Sequence, residues 1–125
     1  MVVFYRTVRD NRIPVTMYAN FLALDSARAE SSDDAIANDI NRRRAEPGMN
    51  VMSHRDLRTK PGERVIVRQF NSPSTNFELI GYVRGESGVA ILGLRAFDQT
   101  SLDRASGDFE RLVQAYTPAP PSRTP

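Results

Sequence analysis

The chain contains one histidine, in Ser53-His54-Arg55-Asp56, and that tetrapeptide is the first place to look for chemistry. A serine nucleophile needs a histidine base, and the histidine needs a carboxylate to orient it. Along a strand, successive side chains alternate between the two faces. Asp56 then shares a face with His54, whereas Ser53 points the other way. No Gly-x-Ser-x-Gly elbow accompanies the group. His54 therefore reads as a strand-surface histidine. Zero cysteines exclude disulfides and thiolate metal sites. Asp33, Asp34, Asp39, Glu78 and Asp98 could meet in space as acid–base pairs, but the sequence selects no pair among them. Gly85-Glu86-Ser87-Gly88 lies between two strand-like runs. A phosphate cradle needs its glycines between a strand and a helix, so this loop reads as a hairpin. These residues lead to an expectation of no catalysis, no cofactor and no metal.

The arginines are more informative. Of the 17 cationic side chains, all but Lys60 are arginine, and the formal net charge is only +2. A GC-rich bacterial genome would produce that bias. Arginine also suits planar pairing with carboxylates and aromatic rings. Arg64 and Arg68 alternate with Ile66 and Phe70. Arg95 stands between Ile91 and Phe97, and Arg84 follows Tyr82 by two. Arginine beside aromatic and aliphatic groups is the mix enriched in protein interfaces. Equally, such arginines can lay their stems over apolar surface and keep their heads wet. The candidate binding residues are Arg68, Tyr82, Arg84 and Arg95. Their chemistry suits a protein or peptide partner that carries carboxylates beside apolar groups, or a second copy of the chain. Arg42-Arg43-Arg44 could bind an anion, but cations in the last turn of a helix need no ligand to explain them. Nucleic-acid binders concentrate positive charge more strongly, and no ribonucleoprotein motif is present, so no nucleic-acid partner is expected.

These residues must be positioned by elements that the hydrophobic pattern outlines. The 125 residues suit one domain, over 1–117. The tail 118–125, Pro-Ala-Pro-Pro-Ser-Arg-Thr-Pro, should be disordered or extended. No apolar run approaches the ~20 residues of a membrane span. Met1 to Tyr5 is too short for a signal-peptide core. The expected compartment is the cytoplasm, or the periplasm or exterior if a signal peptide has been removed. Strands are expected at Val2 to Val8 and Val15 to Leu24. A helix over about 33–46 opens at Ser31, with Ile36 and Ile40 one turn apart and Ala37 beside them, and ends at Pro47-Gly48. Met49 to Leu57, Glu63 to Phe70, Phe77 to Arg84 and Val89 to Phe97 are four further strands. Turns at Lys60-Pro61-Gly62, Asn71-Ser72-Pro73-Ser74 and Gly85 to Gly88 separate them. Their shortness requires antiparallel pairing. A closing helix over about 101–116 carries Leu102, Ala105, Phe109, Leu112, Val113 and Tyr116 on one stripe, with Thr100 as its N-cap.

The later strands are apolar on both parities. Phe77, Leu79 and Val83 oppose Ile80 and Tyr82. Val89, Ile91 and Phe97 oppose Ala90, Leu92, Leu94 and Ala96. Such a sheet must be covered on both faces, and two helices are available. The expected fold is α+β: a three-layer sandwich with a central twisted antiparallel sheet of about six strands, in the order β-β-α-β-β-β-β-α. Two helices cannot cover six strands fully, so part of the sheet should stay open.

That order, closed by Ser101-Leu102-Asp103 through Phe109-Glu110-Arg111-Leu112-Val113-Gln114-Ala115-Tyr116-Thr117-Pro118, resembles the PsbP-like superfamily. That group includes an oxygen-evolving accessory subunit, a Ran-binding nuclear import factor and bacterial DcrB-like proteins. The run Val89-Ala90-Ile91-Leu92-Gly93-Leu94-Arg95-Ala96 leading into a final helix is similar to their last strand. The tryptophan-containing N-terminal segment of such proteins has no counterpart, because the chain has no Trp. The resemblance implies a non-catalytic accessory, adaptor or chaperone-like protein of bacterial origin, with no catalytic residues to carry over. The alternative is a small-ligand binder, in which the last helix closes an apolar cavity against the sheet. An enclosed apolar cavity above ~300 Å³ would favour it.

Overall fold

The computed structural model describes residues 2–7, 14–27, 29–72 and 76–116. The elements are β1 (Val2–Thr7), β2 (Pro14–Ala23), α1 (Leu24–Ala27), α2 (Ser32–Arg44), β3 (Asn50–Ser53) and β4 (Leu57–Arg58). They continue with β5 (Arg64–Asn71), β6 (Phe77–Arg84), β7 (Gly88–Ala96) and α3 (Gln99–Ala115). The strands lie in the order β1-β2-β7-β6-β5-β3, with the two-residue β4 also on β5. Every pairing is antiparallel. Apart from β4 and the single turn of α1, this is the expected α+β order. Val8 and the tail 118–125 lie outside the described residues. Among those residues, no helix is long and apolar enough to cross a membrane.

Each face of the sheet has its own core. On one side Leu79, Val83, Leu92 and Leu94 pack with Leu102, Ala105, Phe109 and Val113 of α3. On the other, Tyr18, Phe70, Ile80, Tyr82, Val89 and Ile91 pack with Ala35 and Ile36 of α2. The doubly apolar β6 and β7 are thus central, where burial of both faces removes the most apolar surface from water. The helix stripes depart from expectation on α2. Asp39 faces the sheet, and Ala37 is exposed.

Helix starts follow from side-chain acceptors. Ser31 Oγ accepts from the Asp34 amide at 3.1 Å, as its position suggests. For α3 the cap is Asp98, not Thr100, and the Asp98 carboxylate accepts from the Ser101 amide at 2.7 Å. Asp98 is in extended backbone directly after β7. A carboxylate is a stronger acceptor than a hydroxyl, so the helix begins there.

The run Met49 to Leu57 is not one strand. Ser53 pairs with Arg68, and Leu57 with Val65. Three residues, His54-Arg55-Asp56, therefore stand against two, Ile66 and Val67. One extra residue turns every following side chain to the opposite face. Val51 accordingly packs on the α2 side and Leu57 on the α3 side, although their sequence parity is the same.

Candidate functional site

The insertion that breaks this strand also removes the histidine chemistry. His54 Nδ1 lies 2.8 Å from the Arg55 carbonyl oxygen, and Asp56 accepts from Arg64 Nε at 2.5 Å. Asp56 is thus an ion-pair partner and does not orient the imidazole. Among the other carboxylates, Asp33 pairs with Arg84 at 2.5 Å and Asp98 caps α3. Asp39 and Glu78 do converge, from α2 and β6, on the guanidinium of Arg43.

That convergence is built on the α2 side of the sheet. Tyr18 on β2 sits opposite Gly93 on β7. A Cβ at position 93 would stand 2.1 Å from the Tyr18 ring, so only glycine leaves room for the phenol there. The Tyr18 hydroxyl donates to the Glu78 carboxylate. Glu78 in turn lies opposite Arg95. Arg95 Nη2 donates to Glu78 Oε2 at 3.3 Å, and its guanidinium is 5.8 Å from the Tyr18 ring centroid.

The last turns of α2 supply the other half. Ile36, Asp39, Ile40 and Arg43 follow the helical period, which aims an acid and a base at the sheet. Asp39 is only 3% exposed. Its Oδ2 accepts from Arg43 Nε at 2.8 Å and from the Tyr82 hydroxyl at 2.7 Å, and its Oδ1 accepts from Arg42 Nη2 at 2.6 Å. Arg43 also stands over the Phe70 ring, 5.6 Å from its centroid, and its Nη1 is 3.9 Å from Glu78 Oε1. Above this buried network lies a cleft of about 230 Å³, lined by Arg42, Arg43, Arg95, Glu46, Glu78, Met49, Phe70, Ser72 and Asn76.

The electrostatics lock the inner groups. Burial drives the Tyr18 and Tyr82 hydroxyls well above the ordinary tyrosine range, and the Glu78 and Asp39 charges add to the shift. Burial alone would raise Asp39, but hydrogen bonds from Arg43, Tyr82 and Arg42 outweigh it and hold the carboxyl below its usual 3.8. Burial likewise opposes the Arg43 charge, and Asp39 more than restores it. Two phenols fixed as donors, one carboxylate and the Arg43 guanidinium therefore form the buried base of the cleft without a change of state near neutral pH. General acid–base catalysis needs the opposite, a group poised near the working pH.

This arrangement yields a direct test. The folded-state pKa of Tyr18 and Tyr82 lies above the unfolded value of 10.0, so their stabilisation is present below that pH and lost as pH rises. The chain has four tyrosines. In an alkaline titration followed by phenolate absorbance, Tyr18 and Tyr82 should ionise only as the fold opens. Simultaneous ionisation of all four at the ordinary value, with the fold intact, contradicts the buried network.

Of the four residues singled out from sequence, the structure brings Arg95 into the cleft. Tyr82 supports the cleft from beneath, but it is 0% exposed and no partner can touch it. This corrects its reading as a surface aromatic: α2 lies over it, and its hydroxyl is taken by Asp39. Arg84 sits at the far end of α2, paired with Asp33. Arg68 Nη1 donates to the Val67 carbonyl on the neighbouring stretch of β5 and does not border the cleft. Tyr18 was missed, and Asp39, Glu78, Arg42 and Arg43 were candidates that the sequence did not join into one site. The spacing Ile36, Asp39, Arg43 carried a signal, since an acid and a base recur on the apolar stripe. Tyr18 and Glu78 carried none, because their meeting depends on strand order.

A larger hollow of about 720 Å³ lies between β4 and the end of α3, bordered by Arg58, Lys60, Arg111 and Gln114. Arg58 donates to the Gly62 carbonyl and Arg111 to Asp108. Cations near a helix C-terminus are explained by the dipole, so this hollow has no comparable claim.

No family model matches the chain, and no curated protein matches it. A solved structure does: the crystal structure of a protein of unknown function, PA94, from Pseudomonas aeruginosa. The match has a TM-score of 0.73 and covers 94% of this chain and 82% of that one, at 13% identity. At that identity the likeness is one of fold.

Proposed function

We propose that the chain is a non-catalytic protein-binding accessory module, of the adaptor or chaperone-like kind, and that it engages its partner through the cleft at the C-terminal end of α2. The observation that carries this reading is the cleft itself. Two arginines, Arg43 and Arg95, stand over aromatic rings and are held in place by buried carboxylates. Arginine forks held in place in this way are among the groups that dominate protein interfaces. The cleft is polar and small, which speaks against an apolar ligand carrier. The resemblance to the PsbP-like superfamily, whose members are mostly accessory proteins, points the same way and is part of the proposal.

The test uses the full chain, tagged, in cells that naturally carry it. Arg42→Glu with Arg95→Glu should weaken partner recovery by about tenfold or more, the equivalent of roughly 1.4 kcal/mol, with folding intact. Arg68→Glu should leave recovery unchanged. Equal recovery with the wild type and the cleft variant sinks this reading. So does a co-purifying apolar small molecule seen by native mass spectrometry.

A further inference from the structure

We infer that the cleft is a receptor for one carboxylate carried beside an apolar side chain of a partner polypeptide, gripped by Arg42 and Arg95. The inference rests on the reading of the chain as a protein-binding module and specifies the chemistry that module recognises. Three observations carry it.

The first is charge balance. Arg42, Arg43 and Arg95 line the cleft with Glu46 and Glu78, which leaves one cation in excess along its lining, while Asp39 lies buried beneath, hydrogen-bonded to Arg42, Arg43 and Tyr82. One excess cation matches a monoanionic carboxylate. A phosphate dianion would leave the site negative.

The second is orientation. A guanidinium presents five N–H donors in a planar fork. Asp39 anchors Arg42 on one side, and Glu78 anchors Arg95. Both arginines nonetheless keep much of their surface, 71% for Arg42 and 49% for Arg95. A fork fixed by an internal carboxylate loses less freedom when a second carboxylate arrives. Asp39 and Glu78 are positioning residues in this account.

The third is the company of the arginines. Half-buried Met49 lines the same hollow, and Phe70, buried under Arg43, forms part of its floor. At about 230 Å³ it lies below the usual range of roughly 300–1,000 Å³ for whole small-molecule sites. It suits an anchoring group of a longer chain.

The probe is N-acetyl-phenylalanine, with its carboxamide as the uncharged control and inorganic phosphate as the competing anion. Binding is read on the full, isotope-labelled protein from the arginine Nε–H resonances. The acid should shift the Arg42 and Arg95 signals saturably, and the carboxamide at equal concentration should not. Arg95→Gln should weaken the acid by about tenfold, and Arg68→Gln should leave it unchanged. Glu46→Gln should tighten it by about twofold, because a like charge leaves the rim. Should Arg95→Gln fail to fold, Arg42→Gln replaces it, since that side chain is mostly exposed. Equal binding of the carboxamide, or indifference to both arginine substitutions, overturns the inference. Tighter binding of phosphate than of the acid overturns it too, in favour of a phosphorylated ligand. If the acid fails while partner recovery still depends on Arg42 and Arg95, this inference falls and the adaptor reading stands.

Discussion

Phe109→Ala is expected to destabilise the protein by about 3–5 kcal/mol, enough to unfold much of a domain this small. Phe109 is 1% exposed and sits in the middle of the α3 stripe. Its ring reaches the sheet at Gly81, where an added Cβ would stand 3.4 Å from Phe109 Cζ and 3.1 Å from Val65 Cγ1. The ring thus fills a space that β6 leaves by having no side chain at that position. Truncation removes the apolar transfer term and leaves a cavity over rigid backbone, which cannot collapse to fill it. Leu112→Ala should cost less, because Leu112 is only partly buried at the edge of the same core. Urea denaturation of both variants checks the ranking. A loss below about 1 kcal/mol for Phe109→Ala means that α3 does not seal this face.

Asp39→Ala should cost a similar amount, about 3–5 kcal/mol, by a different mechanism. The substitution leaves the buried part of Arg43 without its main counter-charge and Tyr82 without its acceptor. An orphaned buried donor keeps its full desolvation penalty. Asp39→Asn retains an acceptor and the volume, so it should cost less. The pH dependence separates the charge from the packing. The folded-state pKa of Asp39 is below the unfolded value of 3.8. Its contribution is therefore complete above that pH and is lost as pH falls through the lower, folded value. Wild-type stability should decline over that acid range, and Asp39→Asn should lack this part of the slope. Parallel acid slopes in the two proteins would show that Asp39 is not the stabilising anion described here.

Asp39 also illustrates where the sequence was hard to read. The triplet Arg42-Arg43-Arg44 has a sufficient explanation as last-turn cations, which masks the one local sign that separates its members, the Ile36, Asp39, Arg43 period. In the fold they separate. Arg43 turns inward over Phe70, and Arg42 stays at the rim. The difference follows from the helical period, since position 43 lies one turn beyond the buried Asp39. The His54–Asp56 pair failed for the opposite reason. Its alternation argument assumes an unbroken strand, and the extra residue between β3 and β4 removes that assumption.

By itself, the sequence determined the element order, the antiparallel pairing and the need for a helix on each face. Those depend on short-range quantities. Loops too short for crossovers force antiparallel neighbours, and apolar residues on both parities of β6 and β7 demand two covers. The α3 stripe from Leu102 to Tyr116 belongs to the same class, because it repeats within one element. Only the tertiary structure decided the cleft. Tyr18, Asp39, Glu78 and Arg95 come from β2, α2, β6 and β7. Their meeting requires β2 to lie against β7 across an intervening stretch of more than half the chain, and the glycine at 93 to admit the Tyr18 ring. Charge and hydrogen bonding act over a few ångströms in space, whatever the separation in sequence. Residues that meet by sheet order therefore leave no periodic trace in the chain that encodes them.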